Sequence, residues 1–360
     1  MEKVYDVIGV ENPIMDFAVS IDRLPKTDSM SVMHDYLWQS GGNASSAIAA
    51  LARLGAKCSM LGVVGTDEFG TFCRDDMVRH GVDVSHLYTQ EGGTTFTICL
   101  AEEETKGRSF LGKMGVNGPL TDVQVDESYI AGARYIHTSM IECSAKKRAV
   151  ELARKNGVLV SADGGAYTAE ADFLVTNSDI LIISEEFYGA LFDDGNYVEN
   201  CRRLIEKGPQ IVIVTLGSKG CAGADRSGNT FRLPPFSGHK IVDTTGAGDV
   251  FHGGFLYAHS QGWELEYCAR FASAVSYINC TSLGGRVGIP DRAMVEQFLK
   301  DNTIDYSGIE PRKAFYRSVM KFNKTSENSP TSTGEAETPG DCRILGGAST
   351  WTETCIRNYW

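Results

Sequence analysis

The chain has 360 residues, with 34 basic against 46 acidic side chains for a formal net charge of -12, and 42% of it is hydrophobic. That composition supports one large folded core, and the acidic balance argues against nucleic acid or an anionic membrane as partner. The start, Met1-Glu2-Lys3-Val4-Tyr5-Asp6, lacks an apolar signal core, and no apolar run approaches the roughly 18 residues of a membrane span, so a cytoplasmic location is expected. Ten cysteines without a Cys-x-x-Cys pair suggest neither a zinc site nor a disulfide framework.

Val4 to Val10 predicts a buried first strand, broken by Glu11-Asn12-Pro13. Ile14 to Val19 then places a single acid, Asp16, in an apolar run just past that strand, where open α/β sheets collect ligands. Met30 to Trp38, Thr94 to Ala101 and Arg108 to Leu111 are strand-like interruptions of an otherwise alternating α/β rhythm, and predict a small separate sheet over the site.

Gly41-Gly42-Asn43 opens an Ala-rich helix to Leu54, with Asn43 expected as its N-cap and the paired glycines bringing backbone close to a ligand. Cys58 to Val64 predicts the next strand, and Gly65 to Gly70 turns it into a helix ended by Gly81. Gly107 to Met114 nearly fits a phosphate-binding P-loop, but Met114 stands where Ser or Thr must ligate Mg²⁺ and no helix pattern follows. Arg108 and Lys113 are therefore expected as solvated lid charges, with an approach to phosphate from the lid as the alternative.

Tyr135 to Thr138 predicts a strand with the acid Glu142 beyond its C-terminal end, and Val158 to Ala162 another, closing on Asp163. Asp179 to Ile183 leads to Ser184-Glu185-Glu186, and the apolar Ile211 to Leu216 reads as an inner parallel strand turned by Gly217-Ser218-Lys219-Gly220.

The stretch Asp243-Thr244-Thr245-Gly246-Ala247-Gly248-Asp249 then precedes a helical pattern. Gly246 and Gly248 let the backbone approach a ligand, and the first-turn N–H groups of a helix have no partners of their own, so the turn predicts an anion cradle. A carboxylate there repels phosphate and is better used on the other reactant. Asp249 as general base and Gly246, Ala247 and Gly248 as anion hole match the division of labour in phosphoryl transfer, with the helix terminus expected to keep Asp249 ionised. Leu265 to Cys280 predicts a long helix, followed by a glycine loop through Gly285 to Pro290 and a last helix from Arg292 to Leu299. A dinucleotide oxidoreductase does not fit, because Phe251 stands where the third glycine should be.

Asp243 to Gly254 resembles the C-terminal signature of the ribokinase family of carbohydrate kinases (PfkB-type sugar kinases), and Gly41 to Gly70 resembles its N-terminal one. The resemblance covers roughly residues 3 to 302. It implies a ribokinase-like three-layer α/β/α fold with a mostly parallel central sheet and a β-sheet lid, formed by segments at about 12–38 and 94–115 and used for homodimerisation. It implies that Asp16, Gly42, Asn43 and Asn117 hold a sugar, joined by Glu142, and that Asp163 matches an acid several members carry. Thr215, Gly217, Gly220, Gly246, Gly248 and Gly285 would line ATP. Of the two acids after Ser184, Glu186 is assigned to Mg²⁺, although the family's usual Asn is replaced by Ser184. Asp243 and Thr245 occupy positions at which many members bind K⁺. Ser46 stands where Asn is common, and Ala166-Tyr167-Thr168 lacks the Arg of relatives acting on acid sugars.

The expected activity is therefore ATP-dependent phosphorylation of a primary hydroxyl of a ribose-, fructose- or keto-deoxy-sugar-like substrate. A nucleoside kinase on the same fold and a non-catalytic sugar or nucleotide sensor are the alternatives. The kinase domain is expected over 1–305. The segment 306–360, with its Ser, Thr, Glu, Pro and Gly-rich stretch from Lys324 to Asp341, is expected to be a largely disordered extension.

Overall fold

The computed structural model describes residues 3–115, 118–139 and 141–319. Among the described residues thirteen strands form two sheets: β1 Tyr5–Val10, β2 Ile14–Ile21, β3 Met33–Gly41, β4 Cys58–Gly65, β5 Leu87–Gln90, β6 Phe96–Glu102, β7 Arg108–Lys113, β8 Ala133–Thr138, β9 Leu159–Gly164, β10 Ile180–Ser184, β11 Ile211–Thr215, β12 Cys221–Asp225 and β13 Thr230–Leu233. The large sheet runs β13-β12-β11-β10-β9-β8-β1-β4-β5, parallel from β11 to β5, with β12 and β13 added antiparallel at one edge. The small sheet runs β3-β2-β6-β7.

The inner strands read as continuous apolar runs because both of their faces are covered. In β10, Ile180 and Ile182 face one core while Leu181 and Ile183 face the other, and β11 divides Ile211 and Ile213 from Val212 and Val214 in the same way. One core packs under the helices Asn43–Leu54, Ala247–Ser260 and Leu265–Asn279, the other under Ser144–Lys155 and Tyr197–Ile205, which gives the expected three layers. The glycine pair at 253 and 254 makes this packing close. A Cβ on Gly253 would lie 2.5 Å from the Ala47 carbonyl oxygen, and one on Gly254 would lie 2.9 Å from Ala272 Cα. Helix Ala247–Ser260 is thereby wedged between its two neighbours.

The small sheet is the expected lid, and the near-P-loop is its edge strand β7. Leu24, Met30, Val32, Met33, Tyr36, Phe110, Leu111 and Met114 are exposed apolar side chains gathered on the lid and its connections. No helix among the described residues is long and apolar enough to cross a membrane.

The expected boundary at residue 305 needs correction. Past it come a turn at Tyr306–Gly308 and a helix, Glu310–Ser318, whose Tyr316 is fully buried. Two adjacent aromatics, Phe315 and Tyr316, in an otherwise polar helix give little periodic signal, which is why composition alone reads the segment as tail. Lys324 to Asp341 lies outside the described residues.

Candidate active site

Because the strands from β11 to β4 are parallel, the segments that follow them meet along one rim. Thr215 ends β11, Glu186 follows β10, Asp163 lies in β9, Glu142 follows β8, and Glu11 and Asp16 follow β1. The lid strands β2 and β3 rise from this rim, and the helices Asn43–Leu54 and Ala247–Ser260 begin there.

Gly246 has φ 73° and sits at the N-cap of helix Ala247–Ser260. A Cβ on it would come within 2.8 Å of Gly285 Cα, so the glycine loop after Cys280 backs the turn directly. Asp243 joins the two pieces: one carboxylate oxygen accepts the Thr245 N–H and the other the Gly284 N–H, both at 2.8 Å. Among the described residues the N–H groups of Gly248 and Asp249 have no backbone partner, and the space above Gly248 is open. The helix thus begins with unpaired N–H groups facing open space. Thr245 Oγ1 is buried without a hydrogen-bond partner beside it.

Asp249, in the first turn, makes no hydrogen bond or ion pair among the described residues. Desolvation, and then the carboxylates of Asp163, Glu11 and Asp16, push its carboxyl well above the ordinary range, against the pull of Arg108. The expectation that the helix terminus keeps it ionised is corrected: one helix end supplies about half a charge, and three nearby carboxylates outweigh it. Arg108 is exposed on β7 yet engaged at its head group. Its guanidinium donates to the Thr244 carbonyl at 3.0 Å and to its hydroxyl at 3.2 Å, tying lid strand β7 to the cradle.

Asp16 is buried on β2, with Oδ1 unpartnered. Burial pushes its carboxyl up to about 7, Arg286 opposes that shift, and Asp243 adds to it. Its carboxylate lies across Gly41, where a Cβ would overlap it. Gly42, φ 97°, is the N-cap position of the next helix; a side chain there would meet Glu11 Oε2 at 2.8 Å. The expected Asn43 cap is thus displaced by one residue. The Asn43 side chain turns instead to Asp163, whose other partner is His252 Nε2 at 3.1 Å. Burial raises the Asp163 carboxyl, but His252 and these hydrogen bonds override it and leave it below the ordinary value.

Glu11 caps the helix from outside, accepting the Ser45 N–H at 3.0 Å and the Ser139 hydroxyl at 2.7 Å. Glu142 faces Lys146, 2.7 Å away and buried, rather than standing free. Burial alone would pull the Lys146 ammonium down, but Glu142 and Glu11 more than offset it. Thr215 donates its hydroxyl to the Ile183 carbonyl at 3.3 Å, and Gly217 and Gly220 take positive φ in the turn beyond, a Cβ on Gly220 overlapping the Leu233 carbonyl. Ser184, in place of the expected Asn, accepts the Phe187 N–H at 3.0 Å as an N-cap. Glu185 is engaged by Lys219 at 2.7 Å, while Glu186 is exposed. Asn117 lies outside the described residues.

Glu11, Arg108, His252 and Arg286 were not read as site residues from sequence. His252 lies one turn beyond Asp249, a spacing that puts both on one helix face and was the available signal.

The pfkB family carbohydrate kinase profile matches residues 8–292. A 5-dehydro-2-deoxygluconokinase of Clostridium perfringens is 25% identical over 334 residues, spanning 86% of this chain and 97% of that protein. A ribokinase of Haemophilus influenzae is 27% identical over 308 residues, 83% of this chain and 99% of that one. The solved structure of Arabidopsis thaliana ribokinase complexed with ribose and ATP matches at TM-score 0.71 and 24% identity, covering 83% of this chain and 99% of that chain. This chain belongs to the pfkB family of carbohydrate kinases. It is a sugar kinase of the ribokinase and pfkB type, ATP-dependent as the motifs led us to expect.

Proposed function

We propose that this enzyme transfers the γ-phosphoryl group of ATP, with Mg²⁺, to a primary hydroxyl of a neutral sugar or polyol. The observation that carries the reading is the meeting of three unsatisfied groups at one rim: the buried Asp16 Oδ1, the unpaired Asp249 carboxyl and the N–H groups of Gly248 and Asp249, which have no backbone partner among the described residues. Asp16, Gly42 and Asn43 orient the sugar, and Asp249 takes the proton of the attacking hydroxyl. The backbone of Gly246, Ala247 and Gly248 meets the negative charge spread over the transferring group. Thr215, Gly217, Gly220 and Gly285 line the nucleotide.

No group of three or more His, Cys, Asp or Glu among the described residues is arranged to hold a metal. That suits Mg²⁺ held chiefly by phosphate oxygens and water, with Glu186 acting through that water. K⁺ beside Asp243 and Thr245 is supported by the orphaned Thr245 Oγ1.

The charge around the sugar side favours a neutral substrate. Glu11, Asp16, Asp163 and Asp249 crowd one another, and the nearby cations are committed: Lys146 to Glu142, Arg286 to Asp76, Arg108 to Thr244. Ribose- and fructose-like substrates fit this field better than a keto-deoxy sugar acid. A nucleoside fits less well, because the ring cluster Phe17, Trp38, Phe69 and Phe96 includes Phe17 and Trp38, which alternate with Asp16 and Gln39 and so lie on the opposite lid face.

Turnover of ATP to ADP with Mg²⁺, in K⁺ and then Na⁺, over neutral sugars, sugar acids and nucleosides tests this. Neutral sugars are expected to exceed the corresponding acids about a hundredfold or more in kcat/KM, since a like charge in such a site costs several kcal/mol. Preferred turnover of an acid or a nucleoside sinks the substrate reading; ATP binding with no turnover on any of them favours a sensor. The exposed apolar lid supports a homodimer through that surface, and a monomer mass for the full chain in light scattering would remove it.

A further inference from the structure

Helix Glu310–Ser318 lies beyond the residues matched by the family profile, yet it grips two parts of the site at once. On one side Arg317 Nε and Nη2 lie 3.1 and 2.5 Å from the carboxylate of Asp35, in lid strand β3, and Lys313 Nζ lies 3.7 Å from it. On the other, Arg312 Nη1 donates to the carbonyls of Val287 and Ile289, both at 2.7 Å, in the glycine loop behind the anion cradle.

Between these grips runs a buried polar chain. Tyr316 donates its hydroxyl to Asp76 Oδ1 at 2.7 Å and meets His80 Nε2 at 2.9 Å. Asp76 Oδ2 holds Arg286 Nη1 at 3.0 Å, and Arg286 Nη2 donates to Ser45 Oγ at 2.8 Å. The Arg286 N–H donates to Gln39 Oε1 at 3.2 Å, at the far end of the same strand β3 and opposite Asp16 in register. Tyr316 and Arg286 are wholly buried and Asp76 nearly so, and each is hydrogen-bonded within the chain, with Arg286 Nε left unpartnered. Networks of this kind hold one arrangement, since each member left alone is costly.

We propose that helix Glu310–Ser318 is a positioning strut. It fixes lid strand β3 against the glycine loop 282–289, and so sets the sugar carboxylate Asp16 against the anion cradle. Arg317 and Tyr316 are positioning residues, since neither touches the reacting groups. The consequence for turnover rests on the kinase reading above; the mechanical coupling does not.

Two variants of the full chain test it. Tyr316→Phe keeps the ring and removes the hydroxyl, and Arg317→Glu breaks an exposed pair that contributes little to folding. Amide hydrogen exchange in Tyr316→Phe is expected to rise about tenfold at residues 39–45 and 282–289, the scale of a lost hydrogen bond to a charged group. Arg317→Glu is expected to raise the KM for sugar and for ATP about two- to fivefold with a smaller change in kcat, and Asp35→Lys in that background to restore part of it, Lys313 leaving a residual repulsion. Exchange changes confined to 306–319, or unchanged KM values in variants that merely melt earlier, overturn the strut. If the parent chain turns over no sugar, the kinase reading fails and the exchange result alone decides the coupling.

Discussion

Replacing Asp249 by Asn is expected to lower turnover by about 10²–10⁴-fold, the usual span for loss of a general base, while the protein stays folded. The substitution is nearly isosteric and disturbs no contact, because the carboxylate makes no hydrogen bond or ion pair among the described residues. It also removes a carboxyl that burial and then Asp163, Glu11 and Asp16 make costly to ionise, so the variant should melt no earlier than its parent. The pH profile carries a second signature. A base works only when deprotonated, and burial with neighbouring carboxylates lifts this one well above the ordinary 3.8. The acid limb of kcat/KM should therefore lie above the range of a free aspartate, with activity rising as pH rises through the folded-state pKa. These carboxylates interact, so the limb reports the cluster and not one side chain. Asp249→Asn should lose or flatten it. Parental turnover in the variant would remove Asp249 from the mechanism.

The parts of the site that were legible in the sequence are those whose chemistry is local. A Gly-x-Gly turn before an apolar helical pattern marks the start of helix Ala247–Ser260, and a lone acid in the apolar run after the first strand marks Asp16, which is buried on β2. The central strands were legible because burial on both faces leaves continuous apolar runs, as in β10 and β11. What was not legible depends on partners distant in sequence. Glu11 reads as part of a strand-breaking tripeptide, and its capping of the helix at Ser45 exists only once β1 and that helix are packed. Arg286 falls in the glycine loop without a local sign of its burial, because the Asp76 that makes that burial tolerable lies 210 positions away. Arg108 stays exposed, and its bond to Thr244, 136 positions away, exists only once the lid folds. The tail helix is the extreme case: it is polar along most of its length and is held by Tyr316 and a set of ion pairs, none of which leaves a periodic trace.

Asp16→Asn should separate substrate binding from stability. Sugar KM is expected to rise at least about tenfold, because a charge-assisted hydrogen bond to a substrate hydroxyl is replaced by an amide. Without ligand, the same change should raise the melting temperature at pH 8 by several degrees. The shift from 3.8 to about 7 is roughly three units, and at 1.36 kcal/mol per unit it sets an upper bound of about 4 kcal/mol on the cost of holding this carboxylate ionised in its buried, half-satisfied place. The sign follows from the direction of the shift. A carboxyl whose folded-state pKa is raised contributes stability that is fully present below its unfolded value and is lost as pH climbs through about 7. Asparagine cannot titrate, so the variant escapes that loss, and its advantage should shrink as pH falls from 8 towards 5. On the proposed role the unpartnered Oδ1 accounts for the cost, since a carboxylate already satisfied by the protein would have no acceptor left for a sugar hydroxyl. Melting curves at pH 8 and 5, with sugar titrations alongside, decide the matter. An Asn variant no more stable than its parent at pH 8 would mean that Asp16 is paid for inside the fold and is not held ready for substrate.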